Sequence, residues 1–206
     1  RVNHTSFNGP FRYIGGADLT EQDGLYVGCL VVVDREDDLK PIYSKCTKMQ
    51  VDVPYIPGYL CFREGPVVER LYHDFCTEHP DIHIDVLLVD GSGEWHFRGV
   101  GLGVYVGVNL DIPTIGVFKT YLRISDEYDS HSVHQMAQER NAEVGEYFTI
   151  NAPIENGEQV SLAIMKTTTS NPYREIFIST GNMMDLTTSA NLVKQLCKYR
   201  EPEPLR

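Results

Sequence analysis

Apolar residues come in short blocks separated by turn residues, and one block stands out. Residues 84–98, IDVLLVDGSGEWHFR, hold an almost wholly apolar run that stops at Asp90 and gives way to two glycines. A run of that length bounded by turn residues predicts a central strand covered on both faces, although periodicity alone leaves a buried helical turn open. Asp90 then stands at a strand end, where open α/β sheets bind their ligands. Taken singly, it reads slightly better as a turn cap, because Asp before Gly is a turn signal.

Upstream, residues 12–19 (RYIGGADL) read as a short strand ending in Asp18, and LYVGCLVVVD as a second, rich in branched residues. Residues 41–51 (PIYSKCTKMQV) alternate approximately between apolar and polar, as a strand with one less covered face does. The short connections around Gly24 and Asp37 predict an antiparallel meander, since a parallel crossover needs about a dozen residues. In VPYIPGYLCFREGP, two prolines and a glycine bracket Tyr55 and Ile56, forbid a regular helix and predict a rigid, projecting loop. Val68, Leu71 and Phe75 then recur at helical spacing, and one turn back on that stripe lies Glu64. Its carboxylate is expected to face the sheet, with Pro66 accommodated in the first turn. A carboxylate at a helix start is also what the helix dipole favours, whatever its function.

Downstream, GVGLGVYVGVNL is small, apolar and helix-like, and TIGVFK predicts a buried strand ending at Lys119, the pattern of Asp90 with opposite charge. Residues 125–146 are polar and give no assignable period. YFTI, QVSLAIMK and REIFIST predict three more strands, and Asp185 caps a helix whose Leu186, Ala190, Val193 and Cys197 share a face. The tail EPEPLR reads as an extended surface segment.

Composition narrows the picture. Acidic residues outnumber basic ones 29 to 18, a formal net charge of -11, which argues against a protein that coats nucleic acid non-specifically and leaves a local basic groove open. Five unpaired-looking cysteines, at Cys29, Cys46, Cys61, Cys76 and Cys197, predict reduced thiols in a reducing compartment. No apolar run approaches the roughly 20 residues that cross a bilayer. With no signal-like opening, the chain is expected to be soluble, intracellular, cytoplasmic or nuclear, monomeric and without a membrane partner. Since it opens at Arg1, its native start is expected to lie upstream. No internal repeat or linker appears, so residues 1–206 are expected to form a single domain.

Three strands, a helix, a strand, a helix-like segment and another strand predict an α/β fold: a ribonuclease H-like mixed sheet, its first three strands antiparallel, flanked by helices. In that arrangement Asp18, Glu64 and Asp90 converge. Each carboxylate repels the others, and a hard cation such as Mg2+ or Mn2+ is the simplest physical reason to gather them. Such an ion can orient a phosphate and activate water.

GGADL, PYIPGYLCFREGP, DGSGEWHFRGVGLGVYVGV and TIGVFKT, with ISTGNMMDLTTSANLV further on, resemble successive signatures of the endonuclease V family. The resemblance is dense over residues 13–122 and weak over residues 125–159, and the tail is similar to that of animal members. It implies cleavage of RNA or DNA at the second phosphodiester 3' to inosine, with Mg2+ or Mn2+, leaving a 3'-hydroxyl and a 5'-phosphate. It also implies Asp18 and Asp90 as metal ligands, Glu64 as a catalytic carboxylate at the metal, and Lys119 near the scissile phosphate. Pro54, Tyr55, Ile56 and Pro57 match the wedge that fills the gap left by the displaced base. Stacking an aromatic on a base is worth about 1–3 kcal/mol. Gly58, Leu60, Gly91 and Gly116 resemble positions lining the base pocket, and His96 and Arg98 match a His-x-Arg pair suited to phosphate or strand contacts.

The chief departure is Asn182 in STGN, where the family pattern has a histidine by the metal's water shell. An amide cannot relay a proton as imidazole does, so weakened or retuned activity is expected, with Asn182→His raising turnover. Phe97 and Phe118 also replace residues that are commonly smaller or proline. The leading expectation is an inosine-directed, metal-dependent endonuclease that prefers single-stranded RNA and also accepts deoxyinosine in DNA. The alternative is an inosine-binding module with weakened catalysis caused by Asn182, and a structure-specific phosphoesterase on the same core is a third.

Overall fold

The computed structural model describes residues 10–23, 25–54, 56–140, 143–167 and 175–206. Among them the strands are β1 (Tyr13–Gln22), β2 (Leu25–Asp34), β3 (Lys40–Gln50), β4 (Val86–Asp90), β5 (Thr114–Phe118), β6 (Tyr147–Pro153), β7 (Gln159–Lys166) and β8 (Glu175–Thr180). The α-helices are α1 (Cys61–Glu78), α2 (Leu102–Leu110), α3 (Ser130–Arg140) and α4 (Leu186–Leu196). The strands make one mixed sheet in the order β3-β2-β1-β4-β5-β8-β7-β6. The first three are antiparallel, β1, β4 and β5 run parallel, and β8, β7 and β6 return antiparallel. This is the α/β, ribonuclease H-like mixed sheet that the element order predicts.

Alternation along the strands divides the core. Ala17, Leu30, Leu87 and Val89 meet α1 and α2, and Trp95, Phe118, Leu162 and Phe177 extend that side toward α3. Ile14, Leu88, Ile115, Val117, Ala163 and Met165 face α4. β4 is apolar without alternation because both its faces are covered; Val86 through Val89 are fully buried. The short links predicted between the first strands are present, with Asp23 in the left-handed region (φ 54°) after β1. α3 buries only Val133 and Ala137, too thin a stripe to stand out in a polar sequence.

Three expectations are corrected. α1 begins at Cys61, so Pro66 lies inside the helix rather than in its first turn, and the Phe62 carbonyl gains no intrahelical N–H from it. Cys29 and Cys46 form a disulfide, with Cα atoms 4.0 Å apart, because they are register partners on β2 and β3. Spacing along the chain does not reveal such a pair, since the hairpin register creates it; Cys61, Cys76 and Cys197 remain thiols. Linking residues 17 apart in sequence contributes about 3 kcal/mol by restricting the unfolded chain.

The tail is not an extended surface segment. Residues Glu203–Leu205 form a 3-10 turn in which Pro204 and Leu205 are buried, packed with Ile14, Val33 and Leu88. A Cβ on Gly16 would lie 2.2 Å from the Pro204 carbonyl oxygen, so the bare backbone of β1 is what admits the tail. Gly16→Ala is therefore expected to lower stability by about 1–3 kcal/mol through overpacking, measured by urea denaturation; unchanged stability would show that the tail packs loosely.

Candidate active site

Ala17 pairs with Val89 across the parallel β1–β4 ladder, so the next residues, Asp18 and Asp90, stand abreast on neighbouring strands. Asp90 pairs with Val117 of β5. Lys119, two residues on, projects from the same face, because side chains two apart on a strand point the same way. Its Nζ lies 2.9 Å from Asp90 Oδ2 and 3.4 Å from Glu201 Oε2. The Leu19 N–H donates to Asp18 Oδ1 at 2.7 Å. Glu64 enters from the first turn of α1, half-buried, with its helical phase turned toward the strand ends.

Electrostatics ties the four groups together. Burial pushes the Glu64 carboxyl up to about 7, helped by the charges of Asp90 and Asp18. Burial also raises Asp18, followed by repulsion from Asp90, against the Leu19 hydrogen bond and the attraction of Lys119. Lys119 is raised: burial opposes its charge, and the hydrogen bond to and charge of Asp90, then that of Glu201, outweigh it. The donors are all carboxylate oxygens whose ionised forms crowd one another, a set suited to a hard divalent cation. As they stand among the described residues, no three acidic, His or Cys side chains ring one point closely enough to hold an ion, and Lys119 supplies the counter-charge at Asp90.

A cleft of about 200 Å3 opens beside these carboxylates, lined by Gly58, Leu60, Glu64, Gly91, His96 and Leu102 among others. One wall is the loop before α1, where Pro54, Ile56 and Pro57 are exposed, as a projecting loop requires; Tyr55 lies outside the described residues. Gly58 has φ +78°, and a Cβ there would meet the Phe97 ring at 2.2 Å. The Arg98 guanidinium donates to the Gly58 carbonyl and stacks 3.5 Å from the Tyr59 ring centroid and 4.4 Å from that of Phe97. Arg98 therefore braces the loop through one of its N–H groups. His96 is buried beside the cleft and stacks on Phe97, and burial, then Arg98, lowers its pKa.

The segment after β4 is fixed by hydrogen bonds to β8 and to the stretch after β5. Gly93 N–H donates to Ser179 Oγ at 2.7 Å, Glu94 N–H to the Thr180 carbonyl at 2.7 Å, and the Trp95 indole N–H to the Leu122 carbonyl at 2.8 Å. Gly116 lies beneath that segment, where a Cβ would be 2.3 Å from Gly93 N. It supports the cleft floor from below, whereas Gly58, Leu60 and Gly91 line the cleft itself.

Asn182 is not at the carboxylates. Its backbone N–H donates to Thr114 Oγ1, at the opposite end of β5 from Lys119, about 16 Å away at ~3.3 Å per strand residue. Its buried side-chain amide donates to the Gly107 and Ile112 carbonyls at 3.0 and 3.2 Å, closing the C-terminal end of α2. The expectation of a residue near the metal's water shell is thus overturned, and with it the expected gain from Asn182→His. Glu201 went unnoticed in the sequence because a carboxylate at the start of a proline-rich tail carries no periodic signal; only the folded tail brings it to Lys119.

The family model described as Endonuclease V matches residues 1–206. Human endonuclease V is 30% identical over 195 residues, covering 94% of this chain and 67% of that protein. The mouse protein is 28% identical over 203 residues, and this chain spans 58% of its length. A crystal structure of the human protein matches with a TM-score of 0.88 at 27% identity, covering all of this chain and 87% of that one. That of Ciona intestinalis endonuclease V, in complex with a 24mer DNA containing an inosine followed by a ribo-adenosine, matches with a TM-score of 0.87 at 27% identity, covering 99% of this chain and 87% of that one.

Unfolded, Glu64 titrates near its ordinary 4.5; folded, it does so at about 7. Its protonated form therefore adds stability that is complete below about 4.5 and lost as pH rises through about 7. In chelator, Glu64→Gln is expected to exceed the parent in stability by up to about 3 kcal/mol at about pH 8 and to match it at about pH 4; equal stability at both would refute the penalty that burial and the neighbouring carboxylates place on ionised Glu64. Asn182→Ala, which removes the amide donor to the Ile112 carbonyl and one of the donors to the Gly107 carbonyl, is expected to lose about 1–3 kcal/mol in urea denaturation.

Proposed function

We propose that this chain, which belongs to the endonuclease V family, is a metal-dependent endonuclease that cuts single-stranded RNA, or deoxyinosine-containing DNA, at the second phosphodiester 3' to inosine. The observation that carries this reading is the junction of two things: Asp18, Glu64, Asp90 and Lys119 at the strand ends, and a cleft beside them floored by Gly91 and walled by Gly58, Leu60 and His96. The inosine in the Ciona complex supports a base as the occupant of the corresponding cleft. RNA is preferred on the likeness of the tail to animal members.

Asp18 and Asp90 would hold the divalent cation, Mg2+ or Mn2+, with Glu64 at its edge. When bound, the cation supplies Lewis acidity toward the phosphodiester and toward water. Glu64 orients the attacking water, whose oxygen forms the new bond to phosphorus as the bond to the 3' oxygen breaks; that oxygen leaves with a proton as the 3'-hydroxyl, and the 5'-phosphate remains on the other fragment. Lys119 balances the negative charge that grows on the phosphate oxygens. The exposed prolines and Ile56 on the loop before α1 keep neighbouring bases apart while the altered base occupies the cleft.

With Asn182 far from the carboxylates and engaged as a structural amide, the reason for a binding module with impaired chemistry is gone. The test is cleavage of inosine-containing single-stranded RNA and DNA with Mg2+, Mn2+ or chelator, against guanosine or adenosine at the same position. Asp90→Asn is expected to cut roughly 100-fold slower or less while still binding the inosine strand in a gel-shift assay. Equal cutting at adenosine would mark a structure-specific nuclease, and tight binding without product in every metal would mark a binding module.

A further inference from the structure

The C-terminal segment reaches into the candidate active site. Arg200 donates to the backbone carbonyls of Lys119 and Glu175, both at 3.4 Å, tying the end of β5 to the start of β8. Glu201 follows, its Oε2 3.4 Å from Lys119 Nζ, so the ammonium lies between two carboxylates, with Asp90 at 2.9 Å. Pro204 and Leu205 are then anchored against Gly16 and Ile14 of β1. Glu201 is thus carried on a segment fastened on both sides of it, and its position is set by the fold rather than by its own rotamer alone.

Asp90 has two calls on its charge: the Lys119 ammonium and, in the function proposed above, a divalent cation. A carboxylate that takes up a dication offers little net charge to a lysine, and the dication repels the ammonium. A lysine held by Asp90 alone would swing toward solvent when it is needed at the phosphate. We propose that Glu201 is a positioning residue for Lys119: it holds the ammonium at the end of β5 while Asp90 serves the cation. Glu201 touches no reacting atom and acts through Lys119. The step at the phosphate rests on the functional reading above, whereas the pairing of the two side chains does not.

The full chain is compared as parent, Glu201→Gln, Glu201→Asp, Lys119→Ala and the Lys119→Ala/Glu201→Gln double variant. Single-turnover cleavage of an inosine-containing strand in Mg2+ is expected to fall about fivefold in Glu201→Gln, the worth of a partly exposed ion pair. Glu201→Asp is expected to keep most of the parent rate, and strand affinity in chelator, read by fluorescence anisotropy, is expected to be unchanged. In the Lys119→Ala background Glu201→Gln is expected to have no further effect. Independently of cleavage, the Lys119 amine, followed by mass spectrometry after brief acylation in Mg2+, is expected to react several-fold faster in Glu201→Gln than in the parent. An unchanged or faster cleavage rate, an equal loss in the Lys119→Ala background, or unchanged acylation would overturn the proposal. A parent that cuts no inosine strand but shows the acylation difference would sink the functional reading and leave the Glu201–Lys119 pairing standing.

Discussion

Two carboxylates held side by side where the parallel β1–β4 ladder ends set the terms for the groups around them. Asp18 and Asp90 cannot separate, because the β1–β4 ladder fixes Ala17 against Val89 one residue earlier. Unit charges about 4 Å apart at an effective dielectric near 20 interact by about 4 kcal/mol, enough to decide protonation states. The fold meets this repulsion by aiming Lys119 at Asp90 and by leaving Glu64, turned in from α1, well above its ordinary titration range. A site strained toward positive charge is the result, and a hard cation answers that strain better than a lysine does.

Recognition and chemistry share the short segment after β4. Asp90 ends the strand, Gly91 floors the cleft, and His96 walls it, all within residues locked by Ser179, Thr180 and the Leu122 carbonyl. Gly116 contributes by having no side chain, so that the segment lies directly on β5. Arg98 joins this segment to the projecting loop through Gly58 and Tyr59, which holds the cleft's two walls at a set distance. Displacement of either wall would therefore be felt at the carboxylates.

The outer strands and the tail brace the same corner from the other side. Cys29 lies opposite Asp18 in the β1–β2 register and is bonded to Cys46 on β3, so the strand next to Asp18 is covalently tied to the sheet edge. The tail presses on β1 at Gly16, two residues before Asp18. A chain with net charge -11 thus gathers three acidic side chains, Asp18, Asp90 and Glu201, around Lys119, with Glu64 facing Asp18 and Asp90, and rigid backing on each side keeps them from dispersing.

Much of this was legible in the residues. The apolar run ending at Asp90, the helical stripe leading back to Glu64 and the strand before Lys119 each follow from periodicity and turn residues, because those report local burial on a pleated or helical surface, whereas β1 runs on past the expected end at Asp18 to Gln22. Motif likeness then supplied the family. The convergence of Asp18 with Asp90 followed from the expected strand order, but pairing register lay beyond the sequence, since it is set by which strands meet: it makes the Cys29–Cys46 bond and sends Asn182 to the far end of β5 as a structural amide. The same holds for the tail, where nothing in EPEPLR indicates burial until Gly16 offers it a bare strand to lie on and Glu201 comes within reach of Lys119. Local order is written in side-chain type and spacing; the meeting of distant side chains is decided by packing and by the geometry of the sheet.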